Sequence, residues 1–136
     1  MENHKGIEEK IFSHLKKYPK NTKIIEIGIG KNFYVAEKLH HEGYLIKASD
    51  IKKNPDLTSI SYRTDDIFSP DISFYTGAGL IYSIRPGIEM MPALIEIAKK
   101  AECELLVYHL GNEIYKEGGE LIDCGVILHR YYKPPR

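Results

Sequence analysis

The tract KIIEIGIG, Lys23 to Gly30, constrains this chain more than any other. Its short isoleucine-rich part predicts a buried strand, and two glycines punctuate the end. Residues from about Lys31 to His41 then carry helical spacing, with Gly43 beyond them as a C-terminal cap. A second strand, YLIKASD, follows. Strand, helix and strand in that order require a parallel pair joined by a right-handed crossover.

The rest of the chain repeats the alternation. After the polar connector IKKNPDLTS, the stretch ISYRTDDIF offers a short third strand running into Asp65 and Asp66. GLIYSIRP is a fourth strand ended by Pro86. MMPALIEIAKKA is a helix with Met91, Leu94, Ile95 and Ala98 on one face and Pro92 confined to its first turn. ELLVYHL is a fifth strand, and GGELIDCGVILHRYYK, divided by Gly125, supplies one or two antiparallel strands at the sheet edge. Ahead of all this, residues 4–18 form an amphipathic helix with Ile7, Ile11, Leu15 and Tyr18 on one face, stopped by Pro19. The fold class is therefore α/β, a Rossmann-like three-layer sandwich whose mostly parallel sheet has an antiparallel edge. A length of 136 residues supports one core, hence a single domain over residues 1–136.

Composition narrows the function classes. No run approaches the roughly 18 apolar residues of a membrane span, and MENHKGIEEK lacks the apolar segment of a signal peptide, so the expectation is a cytoplasmic protein off the membrane. Cys103 and Cys124 have no metal-type spacing and sit in strand-like apolar contexts, which reads as buried free thiols. Net charge is zero but uneven: residues 1–23 carry six lysines against three glutamates, and His129 to Arg136 carries three basic residues and no acid. A sequence pI near 7.0 argues against a nucleic-acid surface, and the basic ends read as solvated helix and tail. A protein partner or a homo-oligomer stays compatible with this composition.

In doubly wound sheets, ligands sit beyond the carboxyl ends of the strands. The residues there are Gly28 to Asn32, Asp50, Asp66, Arg85 and His109, polar or glycine where hydrophobic patterning demands neither. A dinucleotide loop wants glycine at positions 28, 30 and 33, and position 33 is Phe. Asp50 would nevertheless suit the ribose hydroxyls of a nicotinamide cofactor. Glu26 is the discriminating residue. An acid in an apolar strand end is costly to bury and would repel a pyrophosphate, yet it can hold a ligand ammonium. Its structural alternative is a buried acid satisfied by backbone N–H groups.

Glu26-Ile27-Gly28-Ile29-Gly30 resembles the first motif of class I S-adenosylmethionine-dependent methyltransferases, acid-x-Gly-x-Gly, whose third glycine falls at Asn32 here. Asn is among the few non-glycine residues that enter positive φ easily, which makes the exchange mild. The resemblance implies that Asp50 binds the ribose hydroxyls and Asp66 the adenine amino group of S-adenosylmethionine. It covers roughly residues 24 to 110. LIYSIRPGIEMMP and VYHLGNE are further similar to an uncharacterised archaeal family of small proteins with a truncated form of this domain and no established activity.

The departures bear on the reaction. Methyltransferases of exocyclic amines place Asn/Asp-Pro-Pro-aromatic after the fourth strand, whereas this chain has Ser83-Ile84-Arg85-Pro86, so base-amine methylation is disfavoured. No cysteine follows a proline to serve as a pyrimidine-attacking nucleophile, and no His and acid cluster offers a metal site. Methyl transfer needs mainly approach and alignment. The catalytic candidates are Arg85, for an anionic acceptor, and His109, for a proton. Against these stand an Arg85 ion pair with Glu113 or Asp66 and a partly buried strand-end His109. Asp65 and Asp66 can instead cap the turn that follows them. Tyr34, Tyr75, Tyr82 and Tyr108 are placed to line the site or to pack the core. The leading expectation is an S-adenosylmethionine-binding domain acting as a methyltransferase on a small or anionic acceptor. The alternative is a non-catalytic ligand-sensing or partner-docking domain, and the third is an NAD(P)-binding module.

Overall fold

Alternate residues of a strand face opposite sides of its sheet, and β1 (Lys23–Ile27) divides its side chains accordingly. Ile24 joins one apolar cluster, Ile25 and Ile27 another. The same division holds for β4 (Leu80–Ile84) and β5 (Glu104–Tyr108), both nearly continuous apolar runs, as strands covered on both faces must be, whereas β2 (Leu45–Asp50) gives only Ile46 and Ala48, to the cluster of Ile24. With β3 (Ser61–Thr64), β6 (Glu120–Asp123) and β7 (Ile127–Tyr132) they form a seven-stranded sheet of order β3-β2-β1-β4-β5-β7-β6. The computed structural model describes residues 3–135, with side chains from residue 6 onward.

Strands β1 to β5 pair in parallel, and β7 runs antiparallel to both β5 and β6. Helices α1 (Asn3–Leu15) and α2 (Tyr34–His41) cover one face, and α3 (Ile72–Tyr75) and α4 (Met91–Ala101) the other. This is the three-layer arrangement expected, with the antiparallel edge resolved as two strands. Gly125, at φ 99°, turns the chain between them.

Three elements differ from expectation. The helical hydrogen bonding of α1 stops at Leu15, short of residue 18, and a turn carries the chain to Pro19 with Tyr18 donating through its hydroxyl to Glu104 Oε1 at 2.8 Å. Helix α2 starts at Tyr34, not Lys31, because residues 28–33 are spent on a loop whose Gly28 and Gly30 adopt φ of 77° and 56°. Helix α3 was not anticipated. Asp71 caps it by accepting from Ser73 N at 3.2 Å, and four residues are too few to show a period. On α4, Ile97 is buried and Ile95 only partly so, which turns the apolar face slightly from the expected one. Cys103 is a buried free thiol, whereas Cys124 lies half-buried in the β6–β7 turn.

The edge hairpin is tied down through Gly119, whose φ is 63°. A Cβ there would fall 2.5 Å from Arg130 O, a backbone atom that cannot swing away. Gly119→Ala is expected to destabilise the protein by about 2 kcal/mol, lowering Tm by roughly 8 °C in a thermal scan. A midpoint within a degree of wild type would contradict this packing.

Candidate functional site

Strand order reverses between β1 and β4, and the loop after β1 closes over that point. Gly28 N and Ile29 N both donate to Ser49 O, at 2.8 and 3.3 Å, so the loop is stitched to the end of β2. Gly30 N then donates to Asp50 Oδ2 at 2.8 Å and Lys52 N to Asp50 Oδ1 at 3.3 Å. Asp50 thus holds two backbone segments while its carboxylate lines the cavity in front of them. At Gly28 a Cβ would meet Met90 Cε and Ser83 Oγ at 3.7 Å, ordinary contacts, so the need for glycine there is its positive φ.

The cavity, about 510 Å³, is of the size that takes a small molecule, roughly 300–1,000 Å³. Gly28 and Asp50 stand on one side and Asp66, Ile67 and Phe68 on another, with Arg85 and Met90 from the β4–α4 connection. Phe68, 65% exposed, and the exposed Ile51 present apolar surface at the rim without a partner. Asp66 Oδ1 caps its own turn by accepting from Phe68 N at 3.0 Å. Asp65 also lines the cavity, with its carboxylate accepting from Tyr75 Oη at 2.7 Å and from Asp71 N at 3.1 Å.

Glu26 does not line the cavity. It pairs in register with Tyr82 on β4, on the face covered by α1 and α2, and its Oε1 accepts from the Tyr82 hydroxyl at 2.7 Å. Its hydrogen-bond partner is therefore a phenol, not the backbone N–H groups of the structural alternative. At 2% exposure, burial pushes its carboxyl up to about 8; the Tyr82 bond pulls against this, and the carboxylates of Glu8 and Asp50 add to it. The shift favours the protonated form of Glu26 in the folded protein. The Tyr82 phenol is pushed well up by burial and the adjacent acid.

Arg85 has a partner that neither Glu113 nor Asp66 supplies. Its Nη1 lies 2.7 Å from Oε2 of Glu8 on α1, while its guanidinium sits over the Tyr108 ring at 5.3 Å. The same Glu8 oxygen accepts from Asn32 Nδ2 at 2.8 Å. Asn32 Oδ1 in turn accepts from Tyr34 N, 3.2 Å away at the head of α2. Asn32 owes its place to that side chain, not to a left-handed backbone. Among the described residues the non-glycines at positive φ are Arg85, Glu102 and Lys116.

His109 faces away from the cavity. It is buried, with Nε2 2.6 Å from the Tyr131 hydroxyl and its ring 4.8 Å from that of His129. Burial, then His129, hold its pKa below the usual histidine value. The four tyrosines also stay out of the lining. Tyr75 and Tyr82 are buried, Tyr34 bonds Glu9, and Tyr108 underlies Arg85.

Glu8 is the residue that sequence reasoning missed. Positions 8, 11, 12 and 15 share one helical face, and an acid among Ile11, Phe12 and Leu15 is the signal that could have singled it out. Among the described residues no group of three His, Cys, Asp or Glu side chains is arranged to hold a metal ion, and no helix is long and apolar enough to cross a membrane.

Solved structures similar to this fold include proteins described as methylases or methyltransferases. A protein described as a methylase from Haemophilus influenzae superposes with a TM-score of 0.59 at 10% identity, covering 95% of this chain and 96% of its own. Coclaurine N-methyltransferase, solved with N-methylheliamine and S-adenosylhomocysteine, gives 0.55 at 12% identity, with 91% of this chain matching 44% of that one. The fold is thus the Rossmann-like fold of methyltransferases. In sequence, the UPF0146 protein of Pyrococcus abyssi is 37% identical over 117 residues, 82% of this chain and 89% of the relative. Residues 9–120 match the profile of an uncharacterised protein family, UPF0146, and the chain belongs to that family.

Proposed function

We propose that this chain binds S-adenosylmethionine, or the S-adenosylhomocysteine left after methyl transfer, in the cavity in front of Gly28 and Gly30. The supporting observation is Asp50. Two backbone N–H groups fix its carboxylate at the end of β2, and it still faces the cavity, where it can accept from both hydroxyls of a ribose. Asp66 supplies a second carboxylate for the adenine amino group, and Ile51, Ile67 and Phe68 offer apolar surface to the base. Gly30 and Asn32 shape the loop, whereas the Glu26 side chain bonds Tyr82.

The bound sulfonium would supply an activated methyl group, and the chain would contribute alignment of a small acceptor. Arg85 is paired with Glu8, so nothing in the cavity favours an anionic acceptor over a neutral one. A non-catalytic ligand sensor is the second reading. It is favoured by the absence of His109 from the lining, which leaves the described cavity with no histidine to take a proton. An NAD(P) site is the least supported. The third glycine position is Phe33, packed against the core, and the Tyr34 N–H that would greet a pyrophosphate already serves Asn32.

Thermal shift with S-adenosylmethionine, S-adenosylhomocysteine, NAD and NADP tests the choice. Stabilisation is expected from the first two alone, by about 2.7 kcal/mol at a hundredfold excess over Kd. Stabilisation by NAD alone would overturn the reading. Transfer from labelled S-adenosylmethionine to candidate acceptors then separates enzyme from sensor.

A further inference from the structure

We infer that the methyl acceptor of this site is an aliphatic amine, and that the carboxylate of Glu89, on the connection from β4 to α4, holds its ammonium group at the cavity. The inference rests on the adenosyl reading of the cavity and adds the chemical class of the second ligand.

Charge is the first observation. Asp50, Asp65, Asp66 and Glu89 all line the cavity, and the cation of the lining, Arg85, is neutralised by Glu8. Three of these acids already serve the protein: Asp50 accepts from Gly30 N and Lys52 N, Asp65 from Tyr75 Oη and Asp71 N, and Asp66 Oδ1 from Phe68 N. Glu89 takes part in none of the ion pairs or side-chain hydrogen bonds among the described residues. Its place is nevertheless specific. At Gly87 a Cβ would lie 2.7 Å from Glu89 Oε1 and nearer still to Oε2, while the backbone there, φ −62°, is open to any residue. Glycine at this position therefore leaves the room in which the carboxylate lies at the cavity wall. The next residue, Met90, brings the same turn against the glycine loop, its Cε 3.7 Å from where a Cβ of Gly28 would stand. Glu89 is thus the uncommitted anion beside the loop in front of which the adenosyl ligand is placed.

An amine suits that charge throughout the transfer. The ammonium, held by a charge-assisted hydrogen bond to Glu89, gives one proton to water at the mouth, where Glu89 and Phe68 are exposed. The nitrogen lone pair then forms the N–C bond, and the C–S bond breaks with its electron pair left on sulfur. The positive charge passes from sulfur to nitrogen, so the carboxylates keep a cation beside them from start to finish. With an anionic acceptor that charge would be cancelled and the acids left without a counterion.

The test is calorimetry on protein saturated with S-adenosylhomocysteine and titrated with hexylamine, hexanol and hexanoate, which share a chain and differ in charge. Hexylamine, an ammonium at pH 7, is expected to bind about tenfold more tightly than either of the others. Glu89→Gln is expected to weaken hexylamine by about tenfold, and Gly87→Ala, which crowds the carboxylate, to weaken it several-fold. Thermal shift with S-adenosylhomocysteine, expected near wild type for both variants, shows that they are folded. Hexylamine bound no better than hexanol or hexanoate, or equally well by wild type and Glu89→Gln, would overturn the inference and leave the adenosyl reading standing. So would a Glu89→Gln loss confined to S-adenosylhomocysteine. Failure of the wild type to bind S-adenosylhomocysteine would overturn both.

Discussion

Asp50→Ala is expected to lower the affinity for S-adenosylhomocysteine by a factor on the order of 1,000. Two hydrogen bonds from ribose hydroxyls to a carboxylate are each worth about 1.5–3 kcal/mol, and tenfold in Kd is about 1.4 kcal/mol. The substitution also strips the acceptor from Gly30 N and Lys52 N, so the loop loosens as the ligand contact is lost. Asp50→Asn separates the two effects, since one amide oxygen can still accept from Gly30 N. It should keep wild-type stability within about 1 kcal/mol and still lose most of the affinity. Near-wild-type binding by Asp50→Ala would place the ligand elsewhere.

The second large effect is on stability. The Glu26 carboxyl is raised to about 8 in the folded protein against 4.5 for the free side chain. Below 4.5 it is protonated in both states, and between 4.5 and 8 only the folded state holds the proton. The folded state thus binds more protons across that window, so stability from this group is fully present at low pH and lost as pH rises towards 8. Its full span is about 5 kcal/mol. Glu26→Gln keeps a group able to accept from Tyr82 and has no proton to lose. Denaturant unfolding at pH 5, 6, 7 and 8 should show the variant gaining on wild type at each step, with the largest difference at pH 8. A difference that stays constant with pH would contradict a buried, protonated Glu26.

What could be read from the sequence, and what could not, divides along the range of the interactions involved. Strands β1, β4 and β5 announce themselves because a strand covered on both faces must be apolar at nearly every position. Gly28, Gly30, Asp50 and Asp66 follow from strand ends alone, because in a doubly wound sheet the ends of adjacent parallel strands meet at one crevice. The pairing of Glu8 with Asn32 and Arg85 spans separations of 24 and 77 residues, and no local pattern encodes it. His109 shows the same limit. Its place beyond a parallel strand put it near the crevice on paper, but β7 packs beside β5, and the ring turns towards Tyr131 and His129. Glu26 was legible as an anomaly, an acid in an apolar strand. Which partner satisfies it depended on the β1–β4 register, and that register brings Tyr82 alongside.

The family relationship and the fold leave the ligand as the point on which everything functional turns. Calorimetric titration of S-adenosylhomocysteine into the wild-type protein at pH 7 addresses it most directly. The expected result is saturable binding at one site per chain that Asp50→Ala removes. Saturable binding of NAD with no heat from S-adenosylhomocysteine, or S-adenosylhomocysteine binding that survives Asp50→Ala unchanged, would contradict it.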